Sequence, residues 1–138
     1  MNAQDFQIER ITPQRCYEIV ATRAAAPLDW PLQFVPGHWL LPDPADEALV
    51  RLRAQAGIAI VDVDGKWERC VLNGTQAWRV LAAAADVETF LQGRDCAALT
   101  LFDCPAIAAR SGDGVEVWIA SSYAQFLDEQ LVAAATRI

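Results

Sequence analysis

Apolar and polar residues alternate along the chain with either the period of a helix or the period of a strand. The first segment, from Thr12 to Pro27, has the helical period. Thr12 and Pro13 have the residue types of a helix cap and a first helical position. The apolar residues that follow recur at helical spacing: Cys16, Ile19, Val20 and Ala24. They give one apolar face, so the pattern predicts a first helix that ends at Pro27.

Residues 28–44 are rich in Pro, Trp, Phe and Gly, which predicts an irregular aromatic loop with a short strand at residues 38–41. Aromatic side chains in such a loop are typical of a docking surface for a protein partner. They are equally typical of a core that a proline-rich connection covers, so both interpretations stay open. The candidate partner-contacting residues are Trp30, Phe34, His38, Trp39 and, further along the chain, Trp67.

A second helix is predicted after Asp43, the cap residue, with Pro44 at its first position. Its buried stripe consists of apolar residues at helical spacing: Ala45, Ala48, Leu49, Leu52 and Ala56. Gly57 has the residue type that ends a helix in the left-handed conformation. Residues 58–63 are rich in β-branched side chains and are predicted to form the central strand of the sheet.

The segment after this strand combines a turn, a second stretch of strand and the start of a third helix. Asp64 and Gly65 interrupt the apolar run as turn residues. Asn73 is the predicted cap of the helix, and Gln76 lies three residues later, as in a relative of the capping box. The helix is expected over residues 75–84. Its apolar face contains Trp78, Leu81, Ala82 and Ala85.

Three strands are predicted next, at residues 97–102, 106–110 and 115–119. A hairpin turn at residues 111–114 joins the last two, because its two glycines supply positive φ. In the third strand, apolar side chains alternate with Glu116 and Trp118, a pattern typical of a half-buried strand.

A final helix is predicted after Ser122, with Gln125 at the capping-box position. Its core face contains Tyr123, Phe126, Leu127, Leu131 and Ala134. Together the elements predict a single α+β domain over residues 1–138, in which residues 1–37 contribute the first helix and the aromatic loop. It is a largely antiparallel sheet covered by helices, in the order α-β-α-β-α-β-β-β-α.

The charge of the chain excludes some classes of partner. A net charge of −7 argues against a nucleic-acid or anionic-membrane surface, since both need clustered Lys and Arg. The sequence contains no apolar run of about 18 residues, which argues against a transmembrane helix. Its first residues lack the basic start and apolar stretch of a secretory signal, so a cytoplasmic protein is expected.

The cysteines do not have the spacing of a metal site. Cys16, Cys70, Cys96 and Cys104 are far apart, and His38 is the only histidine. No pair has the CxxC spacing of a zinc or redox motif, so buried and reduced thiols without a metal are expected.

Short motifs follow one another in a fixed order from Trp39 to the C-terminus: Val61-Asp62-Val63, Asn73-Gly74-Thr75, Asp86-Val87, Gly93-Arg94 and Ser122-Tyr123. In this order they resemble the gamma subunit of heterotetrameric sarcosine oxidase. That subunit is related to the folate-binding domain of glycine-cleavage aminomethyltransferase. The chain departs from the family where the family has Ser-His-Gly-Arg, because Asp64, Gly65, Lys66 and Trp67 stand there.

The resemblance implies a non-catalytic accessory subunit of a bacterial oxidase that demethylates sarcosine in one-carbon metabolism. Flavin and NAD would then be carried by larger partner subunits, and this chain would bind no cofactor. Two alternatives stay open. One is an aminomethyltransferase-like protein that binds tetrahydrofolate, with Asp86 as the candidate catalytic carboxylate and Asp62, Asp64 and Asn73 as candidate cofactor-binding residues. The other is a stand-alone homodimer that associates through its sheet edge or aromatic loop.

Overall fold

The computed structural model describes residues 6–22, 32–83, 93–112 and 114–137. Within these ranges there are nine strands, three α-helices and one 3₁₀ turn. The strands are β1 Gln7–Ile11, β2 Cys16–Ala21, β3 Gln33–Val35, β4 His38–Pro42, β5 Ile58–Asp62, β6 Trp67–Asn73, β7 Cys96–Leu101, β8 Cys104–Ser111 and β9 Gly114–Ala120. The helices are α1 Asp46–Arg53, α2 Ala77–Ala82 and α3 Ala124–Ala135, and the 3₁₀ turn is Ser121–Tyr123.

The strands form two antiparallel sheets. A five-stranded sheet has the order β1-β6-β9-β8-β7, and a four-stranded sheet has the order β3-β4-β2-β5. The prediction of an α+β fold with antiparallel sheets is confirmed. The predicted single sheet is wrong in detail, because the strands divide between two sheets.

Three buried clusters define the layers of the fold. The first packs α2 and α3 on the five-stranded sheet, through side chains such as Val80, Leu127, Val117 and Ile119. The second lies between the two sheets and includes Cys16, Leu40, Ile107 and Trp118. The third packs α1 on the four-stranded sheet and includes Tyr17, Ile19, Leu49 and Leu52. The order of layers is therefore α1, four-stranded sheet, five-stranded sheet, and α2 with α3.

The predicted first helix is wrong, because β1 and β2 occupy that region. Ile19 packs under α1, whereas Cys16 packs between the sheets, so side chains three positions apart lie on opposite faces. That alternation is the period of a strand. β2 pairs with β4 on one side and β5 on the other, and this pairing overrides the helical spacing of the apolar residues.

The aromatic loop is partly regular. The strand expected at residues 38–41 is confirmed as β4, while β3 was not predicted. Residues 23–31 lie outside the described residues, and the predicted helix end at Pro27 lies there with them.

The second helix begins later than predicted. Its N-cap is Ala45, without a side-chain capping bond, and Asp43 has a positive φ of 43° and accepts a hydrogen bond from the Arg15 amide instead. Leu49 and Leu52 are buried as expected, whereas Ala45 and Ala56 are exposed. Gly57 does have a left-handed φ of 78°, but the helix has already ended at Arg53.

The prediction of a central strand at residues 58–63 is wrong in position. β5 forms there, but it is the last strand of the four-stranded sheet, and β6 belongs to the other sheet. Asn73 ends β6 and is not a helix cap, since α2 begins at Ala77 after Gln76, which makes no side-chain capping bond. Ala82 is exposed, and Ala85 lies outside the described residues.

The C-terminal strands are confirmed as β7, β8 and β9, but β9 is not half-buried. Glu116 is 7% exposed and Trp118 is 2% exposed, because the four-stranded sheet covers the face that was expected to meet solvent. Gly114 lies at the start of β9, where a Cβ atom would be 2.3 Å from the Leu72 carbonyl oxygen.

The last helix is confirmed with a different start. Ser122 and Tyr123 lie in the 3₁₀ turn, and α3 follows without a side-chain capping bond. Tyr123 and Phe126, predicted to face the core, are 46% and 41% exposed. The other predicted core residues, Leu127, Leu131 and Ala134, are buried. None of the described helices is long and apolar enough to cross a membrane.

Candidate functional site

A cleft of about 320 Å³ opens between the two sheets. Its floor is the inner face of the five-stranded sheet. Its walls come from the segments that connect or follow the strands. The lining residues are Ile11, Pro13, Leu32, Pro42, Asp43, Arg69, Asp95, Ala109, Arg110, Glu116 and Trp118.

An ion pair lies on this floor. Arg69 in β6 is opposite Trp118, and Val71 is opposite Glu116, so Arg69 and Glu116 are diagonal neighbours on one face of the sheet. Arg69 Nε and Nη2 each lie 2.6 Å from Glu116 Oε2. A buried carboxylate needs such a charged partner, because its desolvation is otherwise too costly.

Further charges surround the cleft. One Asp43 carboxylate oxygen, Oδ1, accepts the Arg15 amide at 2.9 Å. The backbone carbonyl of Asp95 accepts the Arg110 amide at 2.9 Å, which fixes the main chain of Asp95 beside the cleft. The Arg110 guanidinium carbon lies 5.0 Å from the centre of the Trp78 ring, on the face that carries α2.

Two buried polar atoms have no hydrogen-bond partner within the described part of the chain. They are the Trp118 indole N–H, at the cleft, and the Tyr17 hydroxyl, under α1. A buried donor without a partner costs free energy of folding.

The predicted cofactor-binding carboxylates organise a turn. Asp62 Oδ1 accepts the Asp64 amide at 2.9 Å, and Asp64 Oδ1 accepts the Cys16 amide at 2.7 Å. These bonds fix the connection between β5 and β6 against β2. Asn73 lies at the far end of β6, roughly 20 Å from this turn at the usual rise per residue, so the three are not brought together.

The predicted partner-contacting residues divide between different layers. Trp39 is 5% exposed and packs under α1, so it is a core residue. Phe34 and Trp67 are half-buried and pack against the cluster between the sheets. His38 is exposed and meets Phe34 edge-to-face, with ring centres 6.1 Å apart.

A small polar group surrounds Trp67. Lys66 Nζ lies 2.7 Å from Glu18 Oε2, and the Trp67 indole N–H donates to the same oxygen at 3.4 Å. Lys66 Nζ is also 5.3 Å from the centre of the Trp67 ring. The group fixes Trp67 where it covers the edge of the layer between the sheets.

Two candidates, Trp30 and Asp86, lie outside the described residues. The role of Asp86 toward tetrahydrofolate therefore stays a prediction. No group of three or more His, Cys, Asp and Glu side chains that could hold a metal ion occurs in residues 6–22, 32–83, 93–112 and 114–137.

The four cysteines are buried, free thiols, as expected. Burial, followed by the nearby charge of Glu18, raises the pKa of Cys16 from 9.0 to about 12. Burial and then Glu116 raise the pKa of Cys96 to about 12, and burial and then Asp128 raise that of Cys70 to about 11. These three thiols are neutral at physiological pH and therefore poor nucleophiles.

Sequence reasoning missed the residues of the cleft. Glu116 and Trp118 look like the solvent face of an alternating strand, and Arg69 sits in a strand that was taken as a continuation of the one before it. One signal was available: a glutamate between Val115 and Val117 in a strand needs a partner if that strand is covered on both faces. The partner emerges only from the pairing of β6 with β9.

The fold has a solved counterpart. A chain of the heterotetrameric sarcosine oxidase from Corynebacterium sp. U-96, in complex with pyrrole 2-carboxylate, matches this chain with a TM-score of 0.76 and 14% sequence identity. The match covers 99% of this chain and 87% of that chain. A scan against protein-family models and a search of curated proteins gave no match. The likeness establishes that the two chains share a fold over nearly their whole lengths.

Proposed function

We propose that this protein is a non-catalytic accessory subunit that assembles with larger subunits into a sarcosine-oxidase-like complex. The observation that carries the proposal is the whole-chain match, at a TM-score of 0.76, to a chain of a heterotetrameric sarcosine oxidase. Because that match extends over 87% of the other chain, it is a likeness to a complete small chain and not to a fragment of a large one.

The proposed division of labour leaves the redox chemistry to the partners. Flavin and NAD would be bound by the larger subunits, and this chain would supply a surface. Burial raises the pKa values of Cys16, Cys70 and Cys96 and keeps these groups protonated, so these three thiols are not assigned a redox role in the proposal. Sarcosine demethylation, one-carbon metabolism and a bacterial cytoplasmic location belong to the same proposal.

The β3–β4 hairpin is the surface we assign to the partner. Val35 is 36% exposed at its tip, His38 is exposed beside it, and Phe34 is half-buried beneath it. Exposed apolar and aromatic side chains on an otherwise acidic protein are typical of an interface that excludes charge from its centre. The hairpin is anchored by Phe34, so it presents this surface in a fixed position.

Purification of the tagged chain from its native host tests the proposal. The expected product contains larger chains and absorbs visible light as a flavoprotein does. Val35→Asp should reduce the yield of the coloured complex several-fold, whereas Val50→Asp on α1, 66% exposed and on another surface, should leave it unchanged. A colourless chain without partners under native expression would overturn the proposal.

A specific observation favours a second candidate, self-association through β5. The amides of Thr22 and Val63 bond to carbonyls of the paired strand at Gly57 and Cys16. Because hydrogen-bonded pairs alternate along an antiparallel ladder, Ile58, Ile60 and Asp62 direct their backbone groups away from β2. Such an edge is a template for another strand, including β5 of a second copy.

Sedimentation of the purified chain over a range of concentrations tests this alternative. Val61→Lys places a charge on an exposed position of β5 and should shift a dimer toward monomer, since edge lysines oppose strand addition. Val50→Lys is the matched control on α1. A dimer that is equally stable in both variants would exclude the β5 edge as its interface.

A further inference from the structure

We propose that the cleft between the sheets is a binding site for a small organic cation, an ammonium group carried on an apolar body. This inference does not depend on the proposed subunit role. It rests on the Arg69–Glu116 pair, on the balance of charge in the cleft, and on the apolar walls.

The first step concerns the hydrogen-bonding capacity of Glu116. Both bonds from Arg69 go to Oε2, and Oε1 has no hydrogen-bond partner among the described residues. The Glu116 side chain is 10% exposed, and since it lies on the floor of the cleft, that exposed part faces the cleft. A carboxylate oxygen in this position accepts a hydrogen bond from a ligand N–H, and a charged donor makes the stronger bond.

The second step concerns charge. Three carboxylates line the cleft, those of Asp43, Asp95 and Glu116. Two arginines also line the cleft: Arg69, which is paired with Glu116, and Arg110, whose guanidinium is stacked on Trp78 at the other face of the sheet. The cleft therefore has an excess of negative charge between low-dielectric walls, and such clefts attract positively charged ligands.

The third step concerns the donors of Arg69. Its Nε and Nη2 groups are already committed to Glu116 Oε2. An anionic ligand could use only the remaining N–H groups of Arg69, and there it would approach the carboxylates of Glu116, Asp43 and Asp95. Repulsion by these carboxylates opposes an anion, so the same geometry that favours an ammonium group disfavours a carboxylate or phosphate.

The fourth step concerns size and shape. The walls are apolar, built from Ile11, Pro13, Leu32, Pro42 and the Trp118 ring. The volume of about 320 Å³ is at the lower end of the range of about 300–1,000 Å³ for small-molecule sites. A single aromatic or alicyclic ring with an amine-bearing side chain matches this combination of volume, apolar wall and buried acceptor.

Titration of the full chain followed by ¹H–¹⁵N nuclear magnetic resonance tests the inference, with the Trp118 indole N–H as the reporter. Three ligands of matched shape are compared: 2-phenylethylammonium, 2-phenylethanol and 3-phenylpropanoate. The indole signal should move with the ammonium ion at concentrations about tenfold lower than with the alcohol, and the carboxylate should bind more weakly still.

Two variants locate the interaction. Asp95→Asn, at an exposed position that leaves the fold intact, should raise the dissociation constant of 2-phenylethylammonium about threefold. Glu116→Gln keeps the shape and an oxygen acceptor for Arg69 and should raise it about tenfold. Glu47→Gln on α1, outside the cleft, is the control and should leave it unchanged.

Equal binding of the ammonium ion and the alcohol would overturn the inference, as would tighter binding of the carboxylate. Displacement of the ammonium ion by magnesium at equal concentration would also overturn the inference, because it would show that the acidic residues of the cleft bind a metal ion instead. If Glu116→Gln does not fold, the Asp95→Asn result alone decides, because binding that this variant does not weaken contradicts the role of cleft charge.

Discussion

The two faces of β9 differ sharply, although one strand of seven residues supplies both. On the outer face, Val115, Val117 and Ile119 are fully buried under α2 and α3. On the inner face, Glu116 and Trp118 are 7% and 2% exposed and face the cleft between the sheets. One face is an aliphatic core, and the other combines an ion pair, an indole and an open volume.

The two faces therefore differ in how much they stabilise the fold. Aliphatic burial stabilises a fold in proportion to the area removed from water, and the outer face provides most of it. A buried ion pair gives little net stability, since desolvation offsets much of the attraction between the charges. The inner face therefore gains little net stability from the Arg69–Glu116 pair.

The largest effect is expected from pH, through thiols on both faces. Cys16 and Cys96 lie between the sheets, Cys70 lies in the outer core, and their pKa values are raised from 9.0 to about 12, 12 and 11. Above pH 9 these thiols lose their protons in the unfolded state before they do so in the folded state, so the free energy of unfolding falls as pH rises toward the folded-state pKa values. Below pH 9 the thiols are protonated in both states and do not change the free energy of unfolding. Each thiol contributes a slope of about 1.4 kcal/mol per pH unit.

Urea denaturation at a series of pH values above and below 9 measures this slope. Cys96→Ala and Cys70→Ala should each flatten the alkaline decline, and Cys96→Ala should do so over the wider pH range because its pKa is higher. If neither substitution changes the fall in the free energy of unfolding at alkaline pH, groups other than these two thiols cause that fall.

A core truncation gives the next largest effect and compares the two layers directly. Leu127→Ala, under the outer face, should lower the free energy of unfolding by about 3 kcal/mol, because it leaves a closed cavity. Leu32→Ala, in the wall of the cleft, should cost about half as much, since it only enlarges a volume that is already open. Chemical denaturation of both variants measures the difference, and equal losses would show that the inner layer is packed as tightly as the outer one.

Strands whose pairing partners are close in sequence could be predicted from the sequence. β7, β8 and β9 are consecutive hairpins, so their alternation and turns define them without reference to the rest of the chain. β2 was predicted as a helix because the residues that pair with it, in β4 and β5, lie 18 or more residues further along the chain. The apolar residues at 16, 19 and 20 fit a helix as well as a strand until those partners are known.

The ion pair gives a smaller effect. Arg69→Met should lower the free energy of unfolding by about 2 kcal/mol, because it leaves the Glu116 carboxylate buried without its charged partner. The double variant Arg69→Met with Glu116→Leu should recover most of this loss, since it removes both charges. If the single and double variants are equally unstable, the pair contributes through packing and not through charge.

The cleft between the sheets could not be predicted from the sequence, because its residues come from distant parts of the chain. Arg69 and Glu116 are 47 residues apart and meet only through the register of β6 against β9. The acidic turn at Asp62 and Asp64 was the more conspicuous pattern, but its carboxylates are occupied by backbone amides. Local sequence signals thus identified a structural turn and missed a site assembled from distant strands.

The smallest effect is expected at the exposed ion pair between Lys66 and Glu18. The Lys66 side chain is 51% exposed, so Lys66→Ala should change the free energy of unfolding by no more than about 0.5 kcal/mol. Thermal or urea denaturation at low and high salt measures it. A loss as large as that of Arg69→Met would contradict the distinction between a surface pair and a buried one.

Sedimentation of the native extract, with detection at protein and flavin wavelengths, tests the central claim of an accessory subunit most directly. The tagged chain is expected to sediment as part of a much larger particle, together with flavin absorbance, and Val35→Asp should return it to the position of the isolated chain. Sedimentation of the wild-type chain as a colourless monomer or homodimer would contradict the claim.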